Sequence, residues 1–230
     1  MAYSNLGAMS NRDIAAFWSA LPRLLHKRGG RDPNLEEKLS DILDCSLDEI
    51  RGFSSRDLTQ TSLGLAKTID FLTKGNRRYF REDPRRVLRK VLAGKEVQLF
   101  IFESIEVAAL PILRDFDARQ LSNLIYSFGL TKYNPTFEGE ETLFDALACA
   151  AIDKLAAFNG QGISNMLLAF VYVDAKNSML FRETGEAISG MDLRSFNGQD
   201  FANVLWSFES QAKRTLGYSK HLGIILLREV

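Results

Sequence analysis

FNGQDFANVLWSF, residues 196–208, decides the fold, because weaker copies of it recur upstream as FNGQGISNMLLAF at 158–170 and FDARQLSNLIYSF at 116–128. Aligned on the leading Phe, all three carry Arg or Gln at the fourth position, an apolar residue at the sixth, Ser or Ala at the seventh, Asn at the eighth and Phe at the thirteenth. The copies begin 42 and 38 residues apart. Periods of this size mark supersecondary units that bury their apolar faces by stacking on one another. The expected fold is therefore all-α, an α-solenoid of helical hairpins in a single domain over 1–230. Repeats are clear over 116–230 and degenerate over 9–115.

Upstream, FSSRDL at 53–58 and MSNRDI at 9–14 resemble the opening of the motif and lie 44 residues apart. The span 84–115 is expected to be a degenerate helical unit without the Phe-led signature, since 53 to 116 is too long for one period. The count is five helical pairs and a partial sixth, in repeats of roughly 38–44 residues.

Helical periodicity supports this from the start. Ile14, Phe17, Trp18, Leu21, Leu24 and Leu25 follow i, i+3, i+4, i+7 spacing behind a cap at Ser10 or Asn11, and Leu35, Leu39, Ile42, Leu43, Leu47 and Ile50 do the same up to Gly52. Residues 97–113 read as a buried helix that Pro111 kinks or ends. Thr142 is placed to cap the helix that follows the polar loop at 131–141. The apolar run Ile224–Leu227 in the last segment is unlike the polar face that closes a solenoid, so the chain is expected either to be cut there or to dock onto something.

Within a motif, positions six, nine, ten and thirteen, which are Phe201, Val204, Leu205 and Phe208 in the last copy, fall on one helical face and are expected in the core. The small seventh residue, Ser122, Ser164 or Ala202, should let a neighbouring helix come close. Asn123, Asn165 and Asn203 either cross-link successive repeats or present a donor and acceptor to a ligand. The fourth-position residues Arg119, Gln161 and Gln199, with Arg12 and Arg56 as weaker equivalents, sit in first helical turns. There they are either solvated or face a groove, and Arg and Gln are side chains that contact phosphates and base edges.

Charge is balanced overall, with 29 basic and 29 acidic side chains, so nucleic-acid binding would require segregated charge. Segregation exists at 74–95, where Lys74, Arg77, Arg78, Arg81, Arg85, Arg86, Arg89, Lys90 and Lys95 face only Glu82 and Asp83. This is either a solvated face or a phosphate-contacting one in which Tyr79 and Phe80 stack on unpaired bases.

Other classes find little support. His26 and His221 are far apart and no phosphate-cradling Gly-rich loop occurs, so no catalytic residues, cofactor or metal site are expected. Cys45 and Cys149 read as separate buried thiols. No apolar run approaches the roughly 18 residues of a membrane span. The opening MAYSNLGAMSNRD has neither signal-peptide nor transit-peptide character, so the chain is either not imported or has lost a presequence.

The Phe, Gln, Ala-Asn and Leu-Trp elements of FNGQDFANVLWSF and its sister copies together resemble the first helix of the octotricopeptide-type repeat, a helical hairpin of roughly 38 residues related to those of FAST-kinase-like and RAP-domain proteins. The resemblance covers 116–230 well and 1–115 loosely. It implies a non-enzymatic α-solenoid of the mitochondrion or plastid that binds single-stranded or ribosomal RNA. The implied work is transcript stabilisation or processing, translation, or a place in a ribonucleoprotein such as the mitochondrial ribosome. The alternative is a protein-binding scaffold within a larger organellar complex.

Overall fold

A computed structural model describes residues 9–24, 34–74, 84–137 and 139–216. Among them are ten α-helices: α1 (Asn11–Leu24), α2 (Leu35–Glu49), α3 (Ser55–Lys74), α4 (Pro84–Leu92), α5 (Lys95–Ala109), α6 (Ala118–Thr131), α7 (Leu143–Ile152), α8 (Gly160–Tyr172), α9 (Ser178–Ser189) and α10 (Gly198–Leu216). The described residues form an all-α helical-repeat arrangement, as the period requires, and they divide into two compact units between Phe116 and Asp117. That boundary is the one at which the repeats change from degenerate to clear.

The motif opens the same way in every copy. Its second residue caps the helix, and its fifth returns a side-chain bond in all copies but that of α8, where Gly162 offers only its amide. Ser10 and Asp13 exchange bonds at the start of α1 (Ser10 N to Asp13 Oδ2, 3.0 Å; Asp13 N to Ser10 Oγ, 3.3 Å), and Ser54 and Asp57 repeat the exchange at α3. Asp117 with Gln120 forms a capping box for α6, Asn159 accepts from Gly162 N at α8, and Asn197 with Asp200 serves α10. A capping side chain satisfies amides that have no partner within the helix, typically worth about 1 kcal/mol. The leading Phe53, Phe116, Phe158 and Phe196 are buried just ahead of these caps.

In the first unit α1 packs along α3, and α2 along α4. Trp18 is fully buried, and its indole N–H donates to Ser46 Oγ of α2 at 2.8 Å. α1 and α3 approach so closely that a Cβ at Gly64 would overlap the Trp18 carbonyl. The two helices of 84–115 do not pair off alone: α4 lies against α2 and α3, while α5 lies against α3 and the 3-10 turn Ile50–Gly52. They extend the repeat that α3 opens. α5 stops at Ala109, and a 3-10 turn, Leu110–Asp115, follows with Pro111 in its first positions, where the sequence predicts the helix to kink or end. That helix is only half buried, however, because Leu99 and Phe100 are each 57% exposed and Val107 is exposed too. Together with Ile101, Phe102 and Ile105 on the buried side, they make it apolar on two faces.

In the second unit α6, α8 and α10 stack side by side in that order, with α7 against α6 and α9. The thirteenth-position Phe locks α8 and α10 to the second helix of the preceding repeat: Phe170 meets Phe144 at 4.8 Å between ring centres, and Phe208 meets Phe181 at 5.4 Å. Thr142 caps α7 as expected, in a box with Asp145, whose other carboxylate oxygen accepts from Asn177 at the start of α9.

The core expectations hold in α6 and α8 but only in part in α10, where Val204 is buried and Phe208 half-buried. Leu121, Leu124, Ile125 and Phe128 are fully buried, as are Ile163, Met166, Leu167 and Phe170. In α10, Phe201 is 38% exposed and Leu205 70%, while Trp206 at position eleven is 46% exposed. The chemistry is the same and the neighbour is missing, since no described helix follows α10 in the stack. The thiols also depart from expectation: Cys149 is exposed, and Cys45 is half-buried with its pKa raised by burial and by the nearby Glu49 and Asp48 carboxylates. Leu25 and Ile224–Leu227 lie outside the described residues.

Candidate nucleic-acid interface

The fourth motif position falls in the first turn of each first helix, one residue before the fifth-position capping partner. All five side chains there, Arg12, Arg56, Arg119, Gln161 and Gln199, are exposed. Capping directs the second and fifth residues back onto the helix end, which turns the fourth outward.

In the first unit this brings Arg12 and Arg56 together. With Ser10, Asn11, Ser54 and Asp57 they line an open depression of about 600 Å³ at the adjoining starts of α1 and α3. Asn11 Nδ2 donates to the Gly52 carbonyl at 3.0 Å, tying one helix start to the turn before the other. The depression is not purely cationic. Asp57 sits in it, and Asp13 in the first turn of α1 is held below the usual carboxylate range by the hydrogen bonds from the Ser10 hydroxyl and amide.

In the second unit the fourth and eighth positions lie one turn apart on the same ridge, where i and i+4 side chains meet. Gln199 Nε2 donates to Asn203 Oδ1 at 2.7 Å, and Asn203 Nδ2 donates to Ser164 Oγ of α8 at 3.0 Å. Asn203 is thus a cross-link between repeats. The preceding seam is closed differently, by Ser122 Oγ donating to the Gly162 carbonyl at 3.0 Å. Asn123 and Asn165 stay half-buried beside exposed Arg119 and Gln161.

The basic segment is only partly free to bind. Arg77, Arg78 and Arg81 lie outside the described residues, as do Tyr79 and Phe80, and of Arg85 only the backbone in α4 is described. Arg86 is exposed. Arg89 donates through Nη2 to the Leu72 carbonyl, and Lys90 pairs with Glu36 of α2 at 3.0 Å. Both groups of that pair are more than half exposed, so it is worth little and can exchange for a phosphate. Arg89 instead completes the C-terminal end of α3. Leu72 is 16 residues beyond Arg56, roughly 24 Å along a helix at 1.5 Å per residue. Within this unit, therefore, the first-turn Arg56 and the described Arg89 of the basic helix stand at opposite ends of α3. Helix length sets the separation.

Sequence inspection missed the twelfth motif position. It holds Gly64, Ser127, Ala169 and Ser207, and Ser19 once a one-residue deletion brings Trp18-Ser19 into register with Trp206-Ser207, all of them small. It is where a helix meets its neighbour: Gly64 lies on the α1 backbone, and a Cβ at Gly129 would come within 2.5 Å of Ala169. The signal was present as a column of small residues, overshadowed by the bulky ones beside it.

Among the described residues no group of His, Cys, Asp or Glu could hold a metal ion, and no helix is long and apolar enough to cross a membrane. The architecture defines the class as an all-α helical-repeat protein with an exposed polar residue opening each first helix. No family model matches the chain, and neither a curated protein nor a solved structure does.

Proposed function

We propose that this is a non-enzymatic RNA-binding helical-repeat protein of the mitochondrion or plastid. It contacts single-stranded or ribosomal RNA through the first-turn side chains Arg12, Arg56, Arg119, Gln161 and Gln199. Its work is RNA stabilisation or processing, translation, or a structural or assembly role in the mitochondrial ribosome. The observation that carries the reading is the exposure of all five fourth-position side chains at helix starts, with three long Arg and two Gln side chains in equivalent places. A helix start favours an anion, Arg adds charge and a planar fork, and Gln adds paired donors and acceptors. Exposed Arg86 and the exchangeable Lys90 would add to phosphate affinity.

Anisotropy of a labelled single-stranded RNA, titrated at several salt concentrations, tests this. Affinity should fall linearly with log salt, and Arg12→Ala and Arg56→Ala should each lower the slope by about one. An affinity that is absent or indifferent to salt refutes the reading. The competing scaffold reading draws on the exposed Leu99, Phe100 and Val107 of α5, an apolar face suited to a protein partner. It predicts binding that salt does not weaken.

A further inference from the structure

Asn followed by Gly occurs twice in the chain, at Asn159-Gly160 and Asn197-Gly198, both times as the second and third residues of the motif. The other copies cap with Ser10, Ser54 and Asp117, each followed by a larger residue than glycine. Asn-Gly is the pair most prone to lose ammonia, because a following glycine leaves its amide nitrogen free to reach the Asn side-chain carbon. The two pairs share a role but not their surroundings. Gly160 is buried, and a Cβ there would lie 2.7 Å from the Phe196 ring and 2.8 Å from the Ser195 carbonyl oxygen, so the first peptide of α8 is clamped under the start of the next repeat. Asn197 and Gly198 are both exposed, and nothing lies within 4 Å of where a Gly198 Cβ would stand.

We propose that Asn197 is a site of spontaneous deamidation, and that the fold holds the identical pair at Asn159 intact. The Gly198 nitrogen gives up its proton to solvent and bonds to Asn197 Cγ, closing a succinimide ring, and the Cγ–Nδ2 bond breaks as ammonia leaves. Water then opens the ring at either carbonyl, giving aspartate or isoaspartate, with nothing oxidised or reduced. Ring closure requires the first peptide of α10 to rotate out of its cap, in which Asn197 Oδ1 accepts from the Gln199 and Asp200 amides at 2.8 and 2.9 Å. Releasing a cap slows the reaction only about fivefold, and a helix end with free surroundings opens locally far more often than the whole chain unfolds. The same rotation in α8 has to lift Phe196, which is buried and set against Phe201 at 5.2 Å between ring centres. Aspartate keeps the cap, as Asp117 does in α6. Isoaspartate inserts Cβ into the main chain and draws Phe196 off Gly160. This chemistry is independent of any RNA binding.

Storing the folded whole chain at mildly alkaline pH and mapping its peptides by mass spectrometry over time reads the replacement of NH2 by OH at each Asn. Asn197 should convert, and Asn159 should lag it by at least about tenfold, the protection that local packing gives. In guanidinium chloride the two should convert at similar rates, since each is then simply an Asn before a Gly. A methyltransferase that labels isoaspartate should mark the fragment holding residue 197 and not the one holding residue 159. Asn197→Ser, which installs the kind of cap that Ser54 gives α3, should remove that label and leave stored protein melting where fresh protein does, whereas the stored unmutated chain should melt lower. Conversion of Asn159 as fast as Asn197 in the folded chain overturns the proposal, because the fold would then make no distinction between them. So does an Asn197 that stays intact in the folded chain while the unfolded chain converts.

Discussion

α8 and α10 carry the two most similar copies of the motif, FNGQGISNMLLAF and FNGQDFANVLWSF, yet they live in different surroundings. α8 lies between α6 and α10, with Ile163, Met166, Leu167 and Phe170 fully buried, whereas among the described residues α10 has a first helix on one side only and leaves Phe201, Leu205 and Trp206 exposed. Their caps are alike, Asn159 for one and Asn197 for the other. Hydrophobic identity therefore marks where a side chain is able to be buried, and a neighbour decides whether it is.

The sharpest way to break that comparison is to truncate the tenth position in both helices. Leu167→Ala removes a fully buried side chain and should cost about 2–5 kcal/mol. Leu205→Ala should cost less than about 0.5 kcal/mol in dilute solution, as a surface change does. Urea unfolding of the two variants checks it, and equal losses would mean that α10 is covered.

A smaller contrast comes from adding a methyl group. Gly129→Ala pushes a Cβ to 2.5 Å from the Ala169 Cα, a backbone contact that has to shift, and should destabilise by about 1–3 kcal/mol. Gly198→Ala meets nothing within 4 Å and should be neutral or slightly stabilising, because Ala is the better helix former. Thermal unfolding followed by circular dichroism separates them. The smallest effect belongs to the seam bond: Ser164→Ala leaves Asn203 Nδ2 without its 3.0 Å partner in a partly buried place and should cost about 1 kcal/mol. Ala202→Ser, at the same position of the uncovered helix, should leave the melting temperature unchanged.

Much of this was readable from residues alone. The first helices, the caps at Ser10 and Thr142, the end of α5 before Pro111 and the exposure of the five first-turn residues all follow from signals within one or two turns of chain. The candidate interface was less so. Arg89 looked like any other cation in a basic run until Leu72, 17 residues away, took it as a donor. Lys90 looked the same until Glu36, 54 residues away, paired with it. Nothing near Cys149 in the chain marks its thiol as exposed, and it is.

By itself the sequence determined an all-α repeat fold, the start of each first helix and the outward turn of its fourth residue. These depend on hydrogen bonds spanning three or four residues and on a helical period that places apolar residues on one side. Only the tertiary structure decided which apolar faces find a partner, which cations are spent on holding helices together, and that the described chain divides between Phe116 and Asp117. Those outcomes turn on contacts across 17 to 54 residues, and burial belongs to a pair of surfaces, of which a single motif encodes one.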